Sequence, residues 1–275
     1  MEIVTNDRSM TSYGPAERQA WIGDYILEQG SILVDELAEL FSVSRMTIHR
    51  DLDDLEQLGV LRKVRNGATA LRSSFFESDI RYRIKHQMDE KRAIAKAVLS
   101  YIEPGQSIFL DEATTLLPLA RLLPSIAPLT VITNFLPMLK ELTAANTKGI
   151  RIIALGGEYL HKYDTFTGVV CEQTVASLHA DLFLTSVTAM SNGNLYHPEG
   201  RVIRVKQAMM ANASKKFMLL DHTKFGKAAV HLIAPARAFD MFVVDSLTDP
   251  MYLDQLRELE IEYAIAPVET LGERG

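Results

Sequence analysis

The chain has 275 residues, 47% of them hydrophobic and 23% charged, with a formal net charge of -6. That length suits one large domain or two ordinary ones, and the composition is that of a soluble globular protein rather than a fibrous or low-complexity chain. Mild acidity excludes a generally basic nucleic-acid coat but leaves room for a local basic footprint.

No apolar run reaches membrane-spanning length, and MEIVTNDRSMTSYG has no basic stretch leading into a hydrophobic one, so neither a membrane nor an export signal is expected. The single cysteine, Cys171, excludes an internal disulfide and suits a reducing cytoplasm. Residues 1–14 read as a polar tail. Helical spacing of Trp21, Ile22, Tyr25 and Ile26 predicts an amphipathic helix from Glu17 to Glu28, closed by Gly30, with Trp21 in the core. Ser31–Val34 is a short extended link. Asp35 is the expected cap of a second helix, Glu36–Phe41, burying Leu37, Leu40 and Phe41. After Ser42-Val43-Ser44, Ser44 caps a third helix from Arg45 to about Leu58, in which Ile48, Leu52 and Leu55 face inward. Gly59 ends it. Two β-like runs, Val60–Val64 and Ala68–Leu71, follow, joined around the favoured hairpin pair Asn66-Gly67.

Two helices joined by a three-residue turn and followed by a basic hairpin describe a winged helix-turn-helix over residues 15–72. The inward set leaves Arg45, Thr47, His49 and Arg50 outward on the half of the helix that enters a major groove. With Ser44 at the cap and Arg62, Lys63 and Arg65 on the hairpin, these are the candidate contacts to double-stranded operator DNA. Residues 1–72 carry 8 basic and 12 acidic side chains, yet segments 43–50 and 60–72 hold 6 of the 8 and no acid. Phosphates need cations only where the DNA backbone passes. The acidic middle, Asp51 to Glu56, is assigned to the half of the helix that leaves the groove. A three-helix bundle with ordinary surface charges, or a protein-binding winged helix, is the plainer alternative.

Residues 73–80 (SSFFESDI) read as a hinge, and with the start of a long helix over Arg81–Tyr101 they make a connector, 73–90. The rest, 91–275, alternates. Strand-like runs at 108–111, 129–133, 150–155, 182–187, 216–221, 239–245 and 263–266 are separated by helical patterns at 114–123, 136–147, 171–179, 201–213 and 251–260. Near-continuous apolar strands between helices imply a parallel α/β sheet covered on both faces. Ligands in such sheets bind at the carboxyl ends of strands. Those ends read Asp111-Glu112-Ala113-Thr114-Thr115, Thr133-Asn134, Gly156-Gly157, Ser186 with Thr188, and Asp221-His222-Thr223-Lys224. Hydroxyl residues opening a helix hold anions, Lys206 and Lys224 add charge, and Thr133, Asn134 and the aspartates accept hydrogen bonds from sugar hydroxyls. Taken singly, each has a structural explanation as a cap, a turn or a loop cation; their convergence points to a pocket. His161, His179, His197, His222 and His231 lack metal-ligand spacing, so neither metal nor cofactor is expected.

The run from ERQAWIGDYILEQG to VSRMTIHRDLDDLEQLGVLRKVRNGA resembles the N-terminal domain of DeoR-type bacterial repressors, with their "ERQ…I" and "VS..TIRRDL..LE..G.L.R..GGA" patterns. Two positions depart: His49 stands where that family usually has Arg, altering base preference, and Asn66 stands where a wing Gly is common, keeping the turn chemistry. The larger half resembles the DeoR-type effector domain through EKRAIAKA, IFLDEATT, LTVITNFL, IIALGGEY, TGVVCEQTV, VKQAMM and LLDHTKFG. The resemblance implies a Rossmann-like fold similar to ribose-5-phosphate isomerase and glucosamine-6-phosphate deaminase. It also implies that the domain senses phosphorylated sugars, at a site lined by Asp111, Thr114, Thr115, Thr133, Asn134, Gly156, Gly157, Lys206 and Lys224. Ala113 replaces the usual Gly, and Glu112 brings a carboxylate beside the phosphate loop, which is repulsive to phosphate. SVTAM (186–190) replaces a Gly-containing loop, and the usual acid just before Lys206 is missing, with Glu199 as its nearest substitute. A reshaped pocket, for a less common sugar phosphate or an unphosphorylated polyol, follows from these departures.

Two functions are weighed. A sugar-phosphate isomerase or deaminase needs a positioned base; the loop at 185–190 has no acid, leaving Asp111, Glu112 and Asp221. A regulator explains both halves: a cytoplasmic, nucleoid-associated repressor of a sugar or polyol operon, with the helix over Arg81–Tyr101 as lever between operator and effector. One winged helix reads too few base pairs for genomic specificity, so a homodimer or homotetramer is expected.

Overall fold

A computed structural model of the chain describes residues 10–70, 78–145 and 148–269, and divides it into two units that part between Tyr82 and Arg83. In the first, α1 (Pro15–Gln29) starts with Pro15, whose fixed φ suits the first helical position, and Glu17 accepts from the Gly14 N–H at 2.9 Å. Gly30, at φ 90°, ends it. The expected link is a strand, β1 (Ser31–Leu33). Helix α2 (Val34–Phe41) is capped by Glu36, which accepts from the Leu33 N–H at 3.1 Å; Asp35 instead pairs with Arg45 at 2.9 Å. Ser44 caps α3 (Arg45–Gln57) as expected, accepting from the Thr47 N–H at 3.1 Å.

Strands β2 (Leu61–Val64) and β3 (Gly67–Ala70) pair antiparallel with Val64 opposite Gly67, so the hairpin tip is Arg65-Asn66 rather than Asn66-Gly67. Asn66 takes the left-handed turn conformation (φ 64°) that Asn tolerates. Gly67 is needed for a different reason: β1 lies on β3's other side, and a Cβ there would collide with the Ile32 carbonyl. Ile22, Ile26, Leu37, Phe41, Ile48, Leu52, Leu55 and Leu61 form the core of this unit. Trp21 is only partly buried, stacked on Tyr25 and edge-on to Phe41 at the margin of that core. Leu71, Arg72 and the hinge residues 73–77 lie outside the described residues.

The continuous helix expected over Arg81–Tyr101 is two helices, α4 (Ile80–Lys85) and α5 (Met88–Leu99). Gln87 separates them at φ 53°, a conformation no right-handed helix contains.

Beyond it the chain lays down β4 (Ser107–Leu110), the four-residue α6 (Leu119–Leu122), β5 (Leu129–Thr133), α7 (Leu136–Ala144) and β6 (Ile150–Ala154). The helix expected at 114–123 opens instead as a 3-10 turn, Thr114–Leu116, and α6 follows Pro118, which has no N–H to give. A hairpin, β7 (Glu158–Leu160) with β8 (Thr165–Thr167), leads to α8 (Val169–Ala176) and β9 (Ala180–Thr185). Then come β10 (Ala189–Ser191), β11 (Asn194–His197), α9 (Gly200–Ala211), β12 (Ala213–Leu220), β13 (His231–Pro235), β14 (Met241–Asp245), α10 (Pro250–Glu258) and β15 (Tyr263–Ala266).

Seven strands make one parallel sheet in the order β15-β14-β12-β9-β4-β5-β6, as expected for buried apolar strands between helices. Phe109 and Phe183 share a core cluster near its middle, and Phe242 belongs to a second cluster toward the β15 edge. The small antiparallel sheet β10-β11-β13 was not expected; its strands are three to five residues long and carry no sustained alternation. The chain builds β4, β5 and β6 outward, then returns to the other side of β4 with β9. The strand order therefore reverses between β4 and β9, and a crevice opens at the carboxyl ends of those two strands.

Candidate functional site

In the first unit, Ile48, Leu52 and Leu55 are fully buried, and the opposite face of α3 carries Arg45, Met46, His49 and Arg50. Met46 is 70% exposed and had no place in the sequence reading, although the inward triad already implied it. Thr47 is partly buried and bonded to Ser44, hydroxyl to hydroxyl at 2.9 Å, so both hydroxyls are committed to the cap. Arg45 is held only by its exposed pair with Asp35, the kind of pair worth about 0–1 kcal/mol and readily exchanged for a phosphate. Arg50, Arg62 and Arg65 are exposed, whereas Lys63 is paired with Asp53 and its N–H donates to Glu56 at 2.7 Å. The acidic middle of α3 is therefore not simply the part that leaves a groove. Asp53 and Glu56 brace the hairpin. Asp51 is buried in a bond with Arg18 at 2.6 Å, with Gln19 donating to its other oxygen at 3.1 Å.

In the second unit, the crevice between β4 and β9 gathers most of the residues expected there. Lys206, fully buried on α9, bonds Asp111 at 2.7 Å, Glu112 at 2.9 Å, Thr185 at 3.2 Å and the Ser186 carbonyl at 3.0 Å. Its charge is spent inside the protein, so the expected role of an anion ligand does not fit it. Burial would lower its pKa, but the two carboxylates outweigh that and raise it. Burial pushes the Asp111 carboxyl up to about 6 against the pull of Lys206, with Glu112 adding to the rise. The acids partnering Lys206 are thus Asp111 and Glu112 rather than Glu199, which caps α9 and pairs with Arg201 at 3.1 Å. Thr115 reaches Ser186 at 3.4 Å, and His197 lies 4.0 Å from Glu112.

A cationic end adjoins this acidic one. Lys91, 3% exposed on α5, donates to Thr114 Oγ1 at 3.1 Å and to the Arg83 carbonyl. Burial lowers its pKa to about 7, and the charges of Lys224 and Arg83 add to that drop. Lys224 stands 3.8 Å from Asp221. Burial would raise Asp221, but Lys224, the Thr223 hydroxyl and Lys91 hold it below the usual carboxylate range. His222 is raised above its ordinary value, since Asp245, 3.2 Å from its Nδ1, outweighs the opposing effect of burial. Lys91, Thr185, His197 and Asp245 were not foreseen as site residues. Lys91 sat inside a quoted motif, but nothing in its spacing marked a buried ammonium.

Thr133 accepts from the Phe135 N–H at 3.1 Å, and Asn134 donates to the Phe166 carbonyl at 2.8 Å, both buried at the end of β5. Gly156 and Gly157 lie at the end of β6, two strands from β4, and are exposed. Gly157 packs so closely on the Thr167 carbonyl that a Cβ would not fit, which accounts for it structurally. Among the described residues, no group of three or more His, Cys, Asp or Glu is arranged to hold a metal, and no helix is long and apolar enough to cross a membrane.

A winged helix-turn-helix in one unit and a strand-end crevice in the other define a ligand-responsive, DNA-binding transcription regulator. The family model of the DeoR C terminal sensor domain matches residues 86–246, and that of the DeoR-like helix-turn-helix domain matches residues 18–74. The chain belongs to the DeoR family. It is 34% identical to the lactose phosphotransferase system repressor of Staphylococcus aureus over 77% of this chain and 84% of that one. It is 30% identical to the HTH-type transcriptional regulator GolR of Listeria innocua over 92% of this chain and 99% of that one. Among solved structures, a ribose-5-phosphate isomerase in complex with phospho-erythronic acid matches 49% of this chain and 52% of its own, at 17% identity and a TM-score of 0.37.

Proposed function

We propose that this regulator represses a sugar or polyol catabolic operon and is released from it by a phosphorylated sugar bound in the β4/β9 crevice. The observation that carries this reading is the pairing, at one strand-end site, of a cationic end with an acceptor end. Lys91, Lys224 and the Thr114 hydroxyl suit a phosphate; Glu112, Thr133 and Asn134 suit sugar hydroxyls. A lactose-system repressor among its relatives supports the same class of regulated genes. Arg45, Met46, His49 and Arg50 on α3 read the major groove, while Arg62, Lys63 and Arg65 follow the phosphates. The chain acts as a homodimer or homotetramer in the cytoplasm, and it is not an enzyme. In support, Asp111 and Glu112 are tied to Lys206, and the loop after β9 carries no acid.

The ligand switches the protein only if it binds the DNA-competent and DNA-incompetent states with different affinity. Lys91 is the candidate for such a difference, because its ammonium is held by the Arg83 carbonyl and Thr114 and a bound phosphate would share it. The test is calorimetry of the full chain with matched free and phosphorylated hexoses, alongside anisotropy on operator fragments selected from genomic DNA. Phosphorylated sugars should bind and release the DNA; tight binding of the free sugars alone would overturn the reading.

A further inference from the structure

Glu112 is 3% exposed and half used. One carboxylate oxygen pairs with Lys206, and the other, Oε2, is buried with no hydrogen-bond partner among the described residues. Asp111, by contrast, is saturated: Oδ1 accepts from the Ala113 N–H at 3.2 Å, and Oδ2 from Lys206 and the Thr185 hydroxyl. A second buried acceptor, Asn134 Oδ1, also lacks such a partner, its amide nitrogen being spent on Phe166. The two acceptors follow neighbouring strands: Leu110 and Thr133 are register partners on β4 and β5, Asn134 comes directly after Thr133, and Glu112 stands two residues past Leu110. Buried acceptors left without donors are costly, so this pair is set for a ligand rich in donors.

Charge narrows the ligand further. Two carboxylates surround one ammonium, so acids outnumber bases at this end of the crevice. His197 does not redress this: its Nδ1 accepts from the Glu199 N–H at 3.1 Å, so the neutral ring carries its proton on Nε2, which faces Glu112. A hydroxyl would donate to Glu112 but leave the imbalance; a protonated amine supplies both the donor and a second cation. The carboxylate that looked misplaced beside a phosphate loop is directed to Lys206, while the Lys91, Thr114 and Lys224 end receives the phosphate.

We propose that Glu112 makes this sensor specific for a phosphorylated amino sugar, whose ammonium sits on Glu112 Oε2 and whose neighbouring hydroxyl donates to Asn134 Oδ1. This rests on the phosphorylated-sugar reading above. Calorimetry on the full chain would compare glucosamine 6-phosphate and galactosamine 6-phosphate with glucose 6-phosphate, galactose 6-phosphate and N-acetylglucosamine 6-phosphate. At least one amino form should bind about tenfold or more tighter than its neutral counterpart, the difference between a charge-assisted and a neutral hydrogen bond. Glu112→Gln keeps the shape and should erase that preference while still binding the neutral forms, with thermal unfolding confirming the fold. The wild-type comparison stands by itself if the variant does not fold. Neutral sugar phosphates binding as tightly as the amino forms, or a preference that survives Glu112→Gln, would overturn the inference alone. Failure of all five to bind would overturn the phosphorylated-sugar reading together with it.

Discussion

On the proposed docking of α3 in a major groove, two of its residues should set what the first unit reads. Met46 is exposed on the face of α3 opposite the buried triad and has no hydrogen-bond donor to spend on a phosphate, so in the proposed complex its partner would be the thymine methyl group. Met46→Ala should leave overall affinity within a few-fold and weaken selection for thymine at one operator position, as measured by binding-site selection and sequencing. His49→Arg should shift the preferred base at its position toward guanine, whose O6 and N7 accept a bidentate guanidinium. In the second unit, burial lowers the pKa of Lys91 to about 7, at the end of the crevice proposed for the phosphate. Its pKa is depressed by burial, so a bound phosphate, which favours the ammonium, must pull it back up and draw in a proton. Above pH 7 the affinity for a sugar phosphate should fall, with proton uptake visible as a dependence of the calorimetric heat on the buffer's ionisation enthalpy. Lys91→Met should abolish the uptake; unchanged heats across buffers in the wild type would count against this role. Ile48, Leu52 and Leu55 were legible from spacing because helical period and burial go together. Lys91 and Glu112 were not, since burial of a charged side chain is decided by tertiary neighbours far away in sequence.

At the scale of elements, α9 is fastened to the sheet by a charge rather than by packing alone. Removing the cation in Lys206→Met leaves Asp111 and Glu112 facing each other in the interior. That should cost about 3–5 kcal/mol at pH 7, by urea denaturation. The sign of its pH dependence follows from Asp111, whose folded pKa already lies above its unfolded value. A carboxyl of that kind gains stability on protonation, so the penalty of the variant should shrink between pH 7 and pH 5; a constant penalty would show that packing dominates. The elements themselves were largely readable: seven apolar strands, their helices and the reading helix follow from period and composition. The short strands β10, β11 and β13 were hidden because three to five residues carry no period. The break at Gln87 was hidden because an apolar pattern passes through it unchanged, while a single left-handed residue divides the helix.

The whole molecule keeps its two tasks on separate cores. The buried residues under α3 belong to the first unit, and those around Phe109, Phe183 and Val205 belong to the second. Arg50→Ala should therefore lower operator affinity by about 1–3 kcal/mol or more and leave effector binding intact. Lys224→Ala should do the reverse, giving a regulator that stays on its operator in the presence of the sugar phosphate; full induction of that variant would remove Lys224 from the site. Operator affinity should also fall steeply with salt, with a slope set by the exposed arginines more than by Lys63, whose charge is already paired.

Asp51 has a consequence for anyone wishing to redirect this protein. Its bond to Arg18, with the inward triad of α3, holds that helix by contacts on the side away from Arg45, Met46, His49 and Arg50. If positions 45, 46, 49 and 50 read the operator as proposed, they form an interchangeable cassette on a fixed mount. A library randomised at those four sites can be screened for new promoters with the metabolite response untouched, turning the chain into a retargetable biosensor.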